Sequence, residues 1–259
     1  MENIKMRQSR VLKKLRSGGV VSCLKVNFGP EATEIVGLNG FDCAWIDREH
    51  LADDWSTLQA HIWAAKSHDM DVVVRTTRGC YSNYIKPLEL DASGIMIPHV
   101  MNLEDAKSIV KMTRFQPIGL RAVDGGNADS LYTMLDPTEY IKQANEERFV
   151  ILQIEDPEPL EDLEEIAKLE GIDMIFFGPG DFSHAIGDLG NWKNKQLIEA
   201  RKKIAEVCIR NNKFAGTVGG VGNYQELVDM GYRFISLGAD VVGHVNYSRQ
   251  IMEDISKKI

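Results

Sequence analysis

The chain has 259 residues, a net charge of −8, and 44% apolar and 26% charged residues. This length accommodates two small domains or one (β/α)8 barrel, which takes about 250 residues, and the ordinary composition implies a globular core of normal size. The acidic balance excludes a general nucleic-acid binder, which needs a basic face, and gives no support to a role on anionic membranes. No apolar run reaches the roughly 18 residues of a transmembrane helix, and the charged N-terminus lacks a signal-peptide core. Cys23, Cys43, Cys80 and Cys208 form no C-x-x-C pair. They read as free thiols in a reducing compartment, and the expected location is the cytoplasm.

In chain order, a basic helical pattern over 1–17 ends at Gly18-Gly19. A first strand spans 20–26, a helix 31–38 and a second strand 41–47, which runs directly into Arg48-Glu49-His50. A helix over 55–69 leads to a third strand at 72–74 that ends on Arg75. A helical stretch over 81–90, interrupted at Pro87, precedes a fourth strand at 94–98, and a helix follows over 103–113. Residues 114–136 break the rhythm with Pro117, Gly119, Gly125 and Gly126; loops this long are uncommon in compact domains and tend to be functional. A helix over 137–147 has Asp136 as its N-cap and Pro137 in its first turn.

The fifth strand, 149–155, is an unbroken apolar run apart from Gln153 and Glu155, the signature of a strand buried on both faces. A helix over 160–169, a strand over 173–177 and a turn at Gly178-Pro179-Gly180-Asp181 follow. Then come a helix over 194–211, a seventh strand at 214–217, a helix at 224–230, an eighth strand at 234–237 and a last helix from about Asp240. Eight strand–helix units without a linker predict one (β/α)8 barrel domain over 1–259, with a doubly wound open sheet as the alternative.

In a barrel the strand ends share one mouth, where catalytic side chains collect. His50, Arg75, Glu155 and Asp181 all follow strands. Glu155 and Asp181 can hold a hard divalent cation, since Mg2+ takes only one or two protein carboxylates and acts as a Lewis acid on a carbonyl. Arg75 supplies a planar cationic fork for an enolate oxygen or a carboxylate. His50 is the natural proton carrier near neutral pH, with Asp47 placed to orient its imidazole. Gln153 leaves its strand on the same side as Glu155 and can hydrogen-bond a metal-bound water. The backbone around Gly180 offers N–H groups to a substrate carboxylate.

Other features read more plainly. The run from Gly216 to Gly222 lacks the third glycine of a dinucleotide fingerprint and reads as a loop, though a phosphate pocket after strands seven and eight stays open. His61 and His68 read as surface residues, and His99 as lining the mouth. Lys25 lies within its strand, which leaves a Schiff-base mechanism unsupported.

The pieces Trp45-Ile-Asp-Arg-Glu-His50, Val74-Arg75, Gly94-Ile-Met-Ile-Pro-His-Val100, Gln153-Ile-Glu155 and Gly178-Pro-Gly-Asp-Phe-Ser183 together resemble the HpcH/HpaI aldolases. These are class II, metal-dependent pyruvate aldolases such as 2,4-dihydroxyhept-2-ene-1,7-dioate aldolase and 2-dehydro-3-deoxyglucarate aldolase. The resemblance implies a (β/α)8 barrel in a homo-oligomer, a hexamer built of dimers that exchange the last helix. It implies a divalent metal (Mg2+, Mn2+ or Co2+) on Glu155 and Asp181, chelated by pyruvate through its carboxylate and keto oxygens. Arg75 would then stabilise the enolate oxygen, His50 paired with Asp47 would carry protons through water, Gln153 would hold a metal water, and the backbone at Gly180 and Asp181 would meet the pyruvate carboxylate. The implied reaction is reversible aldol cleavage of a 4-hydroxy-2-oxo acid to pyruvate and an aldehyde. Departures follow His50 (Leu51-Ala52-Asp53) and Arg75 (Thr76-Thr77-Arg78), and precede the fourth strand (Asp91-Ala92-Ser93). In the long loop, Gly119-Leu-Arg121-Ala122 stands where the family usually has Gly-x-Arg-Gly. The altered loops leave the aldehyde open. Arg78 and Arg121 are either readers of an acidic or phosphorylated acceptor or structural arginines. A different enolate-type lyase, a decarboxylase, and a metal-binding barrel without turnover are the competing readings.

Overall fold

The computed structural model describes residues 4–258. Eight parallel strands close into a barrel in sequential order. They are β1 (Val21–Val26), β2 (Cys43–Asp47), β3 (Asp71–Arg75), β4 (Gly94–Ile97), β5 (Phe149–Ile154), β6 (Met174–Phe177), β7 (Phe214–Val218) and β8 (Tyr232–Ala239). The helices are α1 (Arg10–Arg16), α2 (Pro30–Leu38), α3 (Trp55–Lys66), α4 (Tyr81–Glu89), α5 (Leu103–Thr113), α6 (Pro137–Glu147), α7 (Leu163–Lys168), α8 (Pro179–Ala185), α9 (Lys195–Arg210), α10 (Tyr224–Met230) and α11 (Asp240–Ser256). The closed barrel confirms the expected fold and removes the open-sheet alternative. Because βα crossovers bury both faces of such strands, every residue of β2 to β6 is buried, which is why they read as continuous apolar runs.

Inward side chains fill the barrel with Cys23, Cys43, Trp45, Val73, Met96, Ile151, Phe176 and Phe234. Gly94 has no alternative there: a Cβ would lie 2.1 Å from the Phe149 ring. Helix α1 plugs the end from which the strands start, with Val11, Leu12 and Leu15 joining the same core. The predicted helix over 1–17 is corrected to these seven residues, and Met1, Glu2 and Asn3 lie outside the described residues. The physical reason is competition for backbone donors. The N–H groups of Met6 and Ser9 bond to Gln143 and Glu147 on α6, each at 2.9 Å. Ser9 then caps α1 by accepting from Leu12 N–H at 3.0 Å.

The segment 114–136 contains no helix or strand. A buried polar network ties it to the strand-start end of the barrel. Asp129 accepts from Arg148 Nε at 2.7 Å, Arg121 Nη2 at 3.0 Å and the Tyr140 hydroxyl at 2.9 Å, and Arg148 also reaches Asp91. Burial would raise the Asp129 carboxyl, but Arg148 and Arg121 hold it below its ordinary pKa. Arg121 is therefore structural. So is Arg78, which donates to Pro98 O at 2.9 Å and pairs with Asp105.

Two local expectations are corrected. His61 is buried, with Nδ1 2.7 Å from Thr33 Oγ1, because α2 packs over that face of α3. The helix α4 continues through Pro87 instead of breaking there. At the C-terminus the Asp240 carboxylate accepts the N–H groups of Asn27 and Phe28 at 2.8 and 3.1 Å, fixing the start of α11. The rest of α11 buries no residue and exposes Val242, Val245, Tyr247, Ile251, Met252 and Ile255. Among the described residues, no helix is long and apolar enough to cross a membrane.

Candidate active site

The chemistry collects where the strands end. Residues paired across parallel strands sit side by side, and Asp47 pairs with Arg75 in the β2–β3 register. Their side chains form a two-point contact: Arg75 Nε donates to Asp47 Oδ1 at 3.0 Å and Nη2 to Oδ2 at 2.5 Å. Lys25 Nζ donates to Oδ2 at 2.6 Å. Burial would push the Asp47 carboxyl up, but Arg75 and then Lys25 hold it down at about 2. Asp47 in turn keeps the buried Arg75 above its ordinary pKa. Trp45, two residues before Asp47 on the same face, is the floor: its ring centroid lies 4.9 Å from Arg75 Cζ and 5.3 Å from Lys25 Nζ. Arg75 Nη1 has no protein partner among the described residues and is free for a ligand oxygen.

On the other side stands Glu155, fully buried at the end of β5. Its Oε1 accepts the His99 backbone N–H at 2.9 Å, and its Oε2 accepts from Gln153 Nε2. Burial raises its pKa to about 7; the His99 N–H and ring lower it only in part, and Asp181 adds like-charge repulsion. Asp181 is exposed in the first turn of α8. The expected turn at 178–181 is therefore the start of a helix, with Pro179 at its first position. Gly178 is required by close approach: a Cβ there would lie 2.7 Å from Glu155 Oε2 and 3.0 Å from Gln153 Nε2. Gly180 is open, with nothing within 4 Å of a would-be Cβ.

The donor set fits a hard divalent cation. Gln153 Oε1 is buried without a hydrogen-bond partner, which is costly unless a further group meets it. Burial pushes the Glu155 carboxyl up further than His99 and Arg75 bring it down, so a cation beside it would meet an unmet charge demand. Among the described residues, no cluster of three or more His, Cys, Asp and Glu has metal-holding geometry. Two protein carboxylates are what Mg2+ commonly takes, the remaining positions going to water and substrate oxygens.

His50 stands exposed on the rim, its Nε2 3.5 Å from Glu49 Oε2. Its link to Asp47 runs through the backbone N–H at 3.4 Å. The Asp47 carboxylate is committed to Arg75 and Lys25, so Asp47 orients the arginine and not the His50 ring. His99 sits nearer the centre. Its Nδ1 is 2.8 Å from Asp156 Oδ2, and its Nε2 is 3.8 Å from Glu155 Oε1 and 3.9 Å from Glu49 Oε1. These carboxylates outweigh burial and raise its pKa. Its φ of 47° lies in the left-handed region, which aims its N–H at Glu155.

Lys25 and Trp45 were not legible as site residues from their positions within strands. The available signal was the alternation of β1 and β2, which places Lys25 beside Trp45 and on the face shared with Asp47.

The sequence model of the HpcH/HpaI aldolase/citrate lyase family matches residues 27–246. The hydroxypyruvate/pyruvate aldolase of Delftia acidovorans is 30% identical over 82% of this chain and 79% of its own. The 5-keto-4-deoxy-D-glucarate aldolase of Shigella boydii is 28% identical over 92% of both chains. Among solved structures, the HpcH/HpaI aldolase of Desulfitobacterium hafniense superposes with a TM-score of 0.89 at 25% identity, covering 95% of this chain and 96% of that one. With the family match spanning most of its length and the same fold, the chain belongs to the HpcH/HpaI aldolase/citrate lyase family and is a carbon–carbon lyase.

Proposed function

We propose that the enzyme catalyses reversible aldol cleavage of a 4-hydroxy-2-oxo acid to pyruvate and an aldehyde. The observation that carries this reading is the pair of opposed walls at the mouth. One carries the Arg75 fork, locked by Asp47, with Glu49 Oε2 3.2 Å from its Nε and a free Nη1. The other is the buried Glu155 facing the charge of Asp181. A divalent cation (Mg2+, Mn2+ or Co2+) held by Glu155 and Asp181 would supply Lewis-acid polarisation of the keto group.

The chain's own residues do the rest. Arg75 donates from Nη1 to the keto oxygen and stabilises the negative charge that gathers there as the C3–C4 bond breaks. Its locked fork needs no reorganisation at that moment. The rim imidazole of His50 takes the proton of the 4-hydroxyl, through water, as the aldehyde carbonyl forms, and returns a proton to C3 to give the pyruvate methyl group. Gln153, with one amide face on Glu155 and its Oε1 free, orients a water beside the carboxylate. The backbone at Gly180 and Asp181, open on the mouth, receives the substrate carboxylate.

The test is exchange of the pyruvate methyl protons in D2O, followed by NMR with Mg2+ or Mn2+. The expected result is exchange that EDTA and Glu155→Ala abolish. Absence of exchange with every divalent metal would sink the reading.

We infer further that the chain assembles as a homo-oligomer through α11, exchanged between subunits of a hexamer. The hexamer and the exchange are what the family resemblance implies; the support for an interface on α11 is that it presents six large apolar side chains and buries none on its own barrel. Contiguous exposed apolar surface of that kind marks an interaction face.

A further inference from the structure

Resting on the aldolase reading, we propose that the pocket of about 580 Å3 beside the mouth, lined by Pro179, Gly180, Trp192, Arg201, Val218 and Asn223, binds the anionic end of the aldehyde acceptor on Arg201. The position comes from Pro179 and Gly180. They form one wall of the pocket, and the next residue, Asp181, belongs to the mouth. Gly180 stands between mouth and pocket, and no side chain closes the passage there.

The chemistry comes from a cation without a counter-charge. Arg201 makes no ion pair and no side-chain hydrogen bond among the described residues; its Cζ lies 5.9 Å from the Phe177 ring centroid, and its Nε is buried without a hydrogen-bond partner. In a chain with a net charge of −8, most other arginines near the barrel ends are matched, Arg75 by Asp47, Arg78 by Asp105 and Arg121 by Asp129. None of the residues lining this pocket is acidic. Asn223 spends its Oδ1 on the Gly220 N–H at 2.8 Å, which leaves its amide N–H groups as donors. A buried guanidinium donor, a free amide and no acceptor of opposite charge select a carboxylate or a phosphate. Trp192 and Val218 present apolar surface for the carbons in between.

The walls are rigid enough to select. Arg201 lies in the middle of α9, and its carbonyl accepts the buried Tyr232 hydroxyl at 2.8 Å. Ser183 ties α8 to the loop carrying Trp192. Its hydroxyl donates to Gly180 O at 2.7 Å and accepts the Gly190 N–H at 3.0 Å. Gly219 is also fixed by close packing, since a Cβ would lie 2.6 Å from Leu227.

The test compares wild-type holoenzyme with Arg201→Gln in aldol addition of pyruvate to matched aldehydes: succinic semialdehyde against butanal, and glyceraldehyde 3-phosphate against glyceraldehyde. The expected result is a fall of about 30-fold in kcat/KM for the anionic member of one pair, mainly in KM. The neutral member stays within about twofold, and Arg201→Lys restores part of the loss. The pair affected tells carboxylate from phosphate. Equal changes for charged and neutral aldehydes would overturn the proposal. Calorimetric titration with succinate and with inorganic phosphate reads the pocket without turnover. Binding of either anion by wild type, weakened about tenfold in Arg201→Gln, supports it; no binding of either by wild type overturns it. Pyruvate methyl exchange needs no acceptor and stays intact in Arg201→Gln. Its absence in wild type would end the aldolase reading, while the titration still decides the pocket.

Discussion

Asp47 and Arg75 end adjacent strands and meet through two hydrogen bonds, so the carboxylate fixes the plane of the guanidinium at the barrel mouth. Lysine keeps the charge but not the fork, so Arg75→Lys is expected to lower kcat for aldol cleavage by about 100-fold. KM for the oxo acid should change far less, and steady-state kinetics with saturating metal read the split. A fall in KM-controlled binding alone would show that Arg75 holds substrate in the ground state only.

The same pair sets an acid limit. The Asp47 carboxyl sits at about 2 in the folded chain against an ordinary 3.8. Its contribution, about 2 kcal/mol, is present above pH 3.8 and is lost as pH falls through 2. Acid titration of wild type and Asp47→Asn, followed by denaturant melts, should show the variant less stable at neutral pH and the two converging towards pH 2.

Glu155 has the opposite sign. Its folded pKa of about 7 lies above the ordinary 4.5. The folded state binds the extra proton, so this contribution is full below pH 4.5 and is lost as pH rises through 7, by up to about 3 kcal/mol. Metal-free protein should lose stability between pH 5 and 8, and Glu155→Gln should flatten that loss. A cation needs the carboxylate, so Mn2+ affinity should climb about tenfold per pH unit below 7 and level off above it. Calorimetry across that range checks the slope and the proton released. A flat profile would remove Glu155 from the metal site.

Gly178→Ala tests packing alone. Its φ of −96° is allowed for alanine, but the added methyl group meets Glu155 and Gln153. The carboxylate must turn, so divalent-metal affinity should fall about tenfold or more while the far-ultraviolet circular dichroism is unchanged.

The apolar face of α11 predicts assembly. Tyr247→Ser combined with Met252→Lys should shift the sedimentation mass towards one chain without unfolding the barrel, because neither side chain packs against it. An unchanged mass would place the interface elsewhere.

Much of this was legible in the sequence because buried parallel strands announce themselves as apolar runs. Phe149 to Ile154 is such a run, and the polar Gln153 and Glu155 at its end stand at the barrel mouth. Arg75 and Asp181 follow the same logic. What stayed hidden depended on contacts between distant segments. His61 gives no hint of Thr33, nor Arg121 of Asp129, and the loop motif left an acceptor role for Arg121 open although its side chain is buried in a network with Arg148, the residue that precedes β5. The length of α1 was decided by acceptors on α6, over 130 residues away in the chain. Arg201 lay in an ordinary amphipathic helix, and only the missing counter-charge in space marks it.

The buried charge pairs at the strand-start end carry a consequence for how such a chain can evolve. Asp42, Asp71, Asp91 and Asp129 are all matched there, Asp71 by Arg7 ahead of α1 and the others by arginines or lysines of α1, α3 and the long loop or by Arg148. These structural ion pairs are thus gathered at the closed end, away from Gly180, Trp192 and Val218. Selection can exchange residues around the open end one at a time, trying new acceptors, without first negotiating with the interactions that keep the barrel shut.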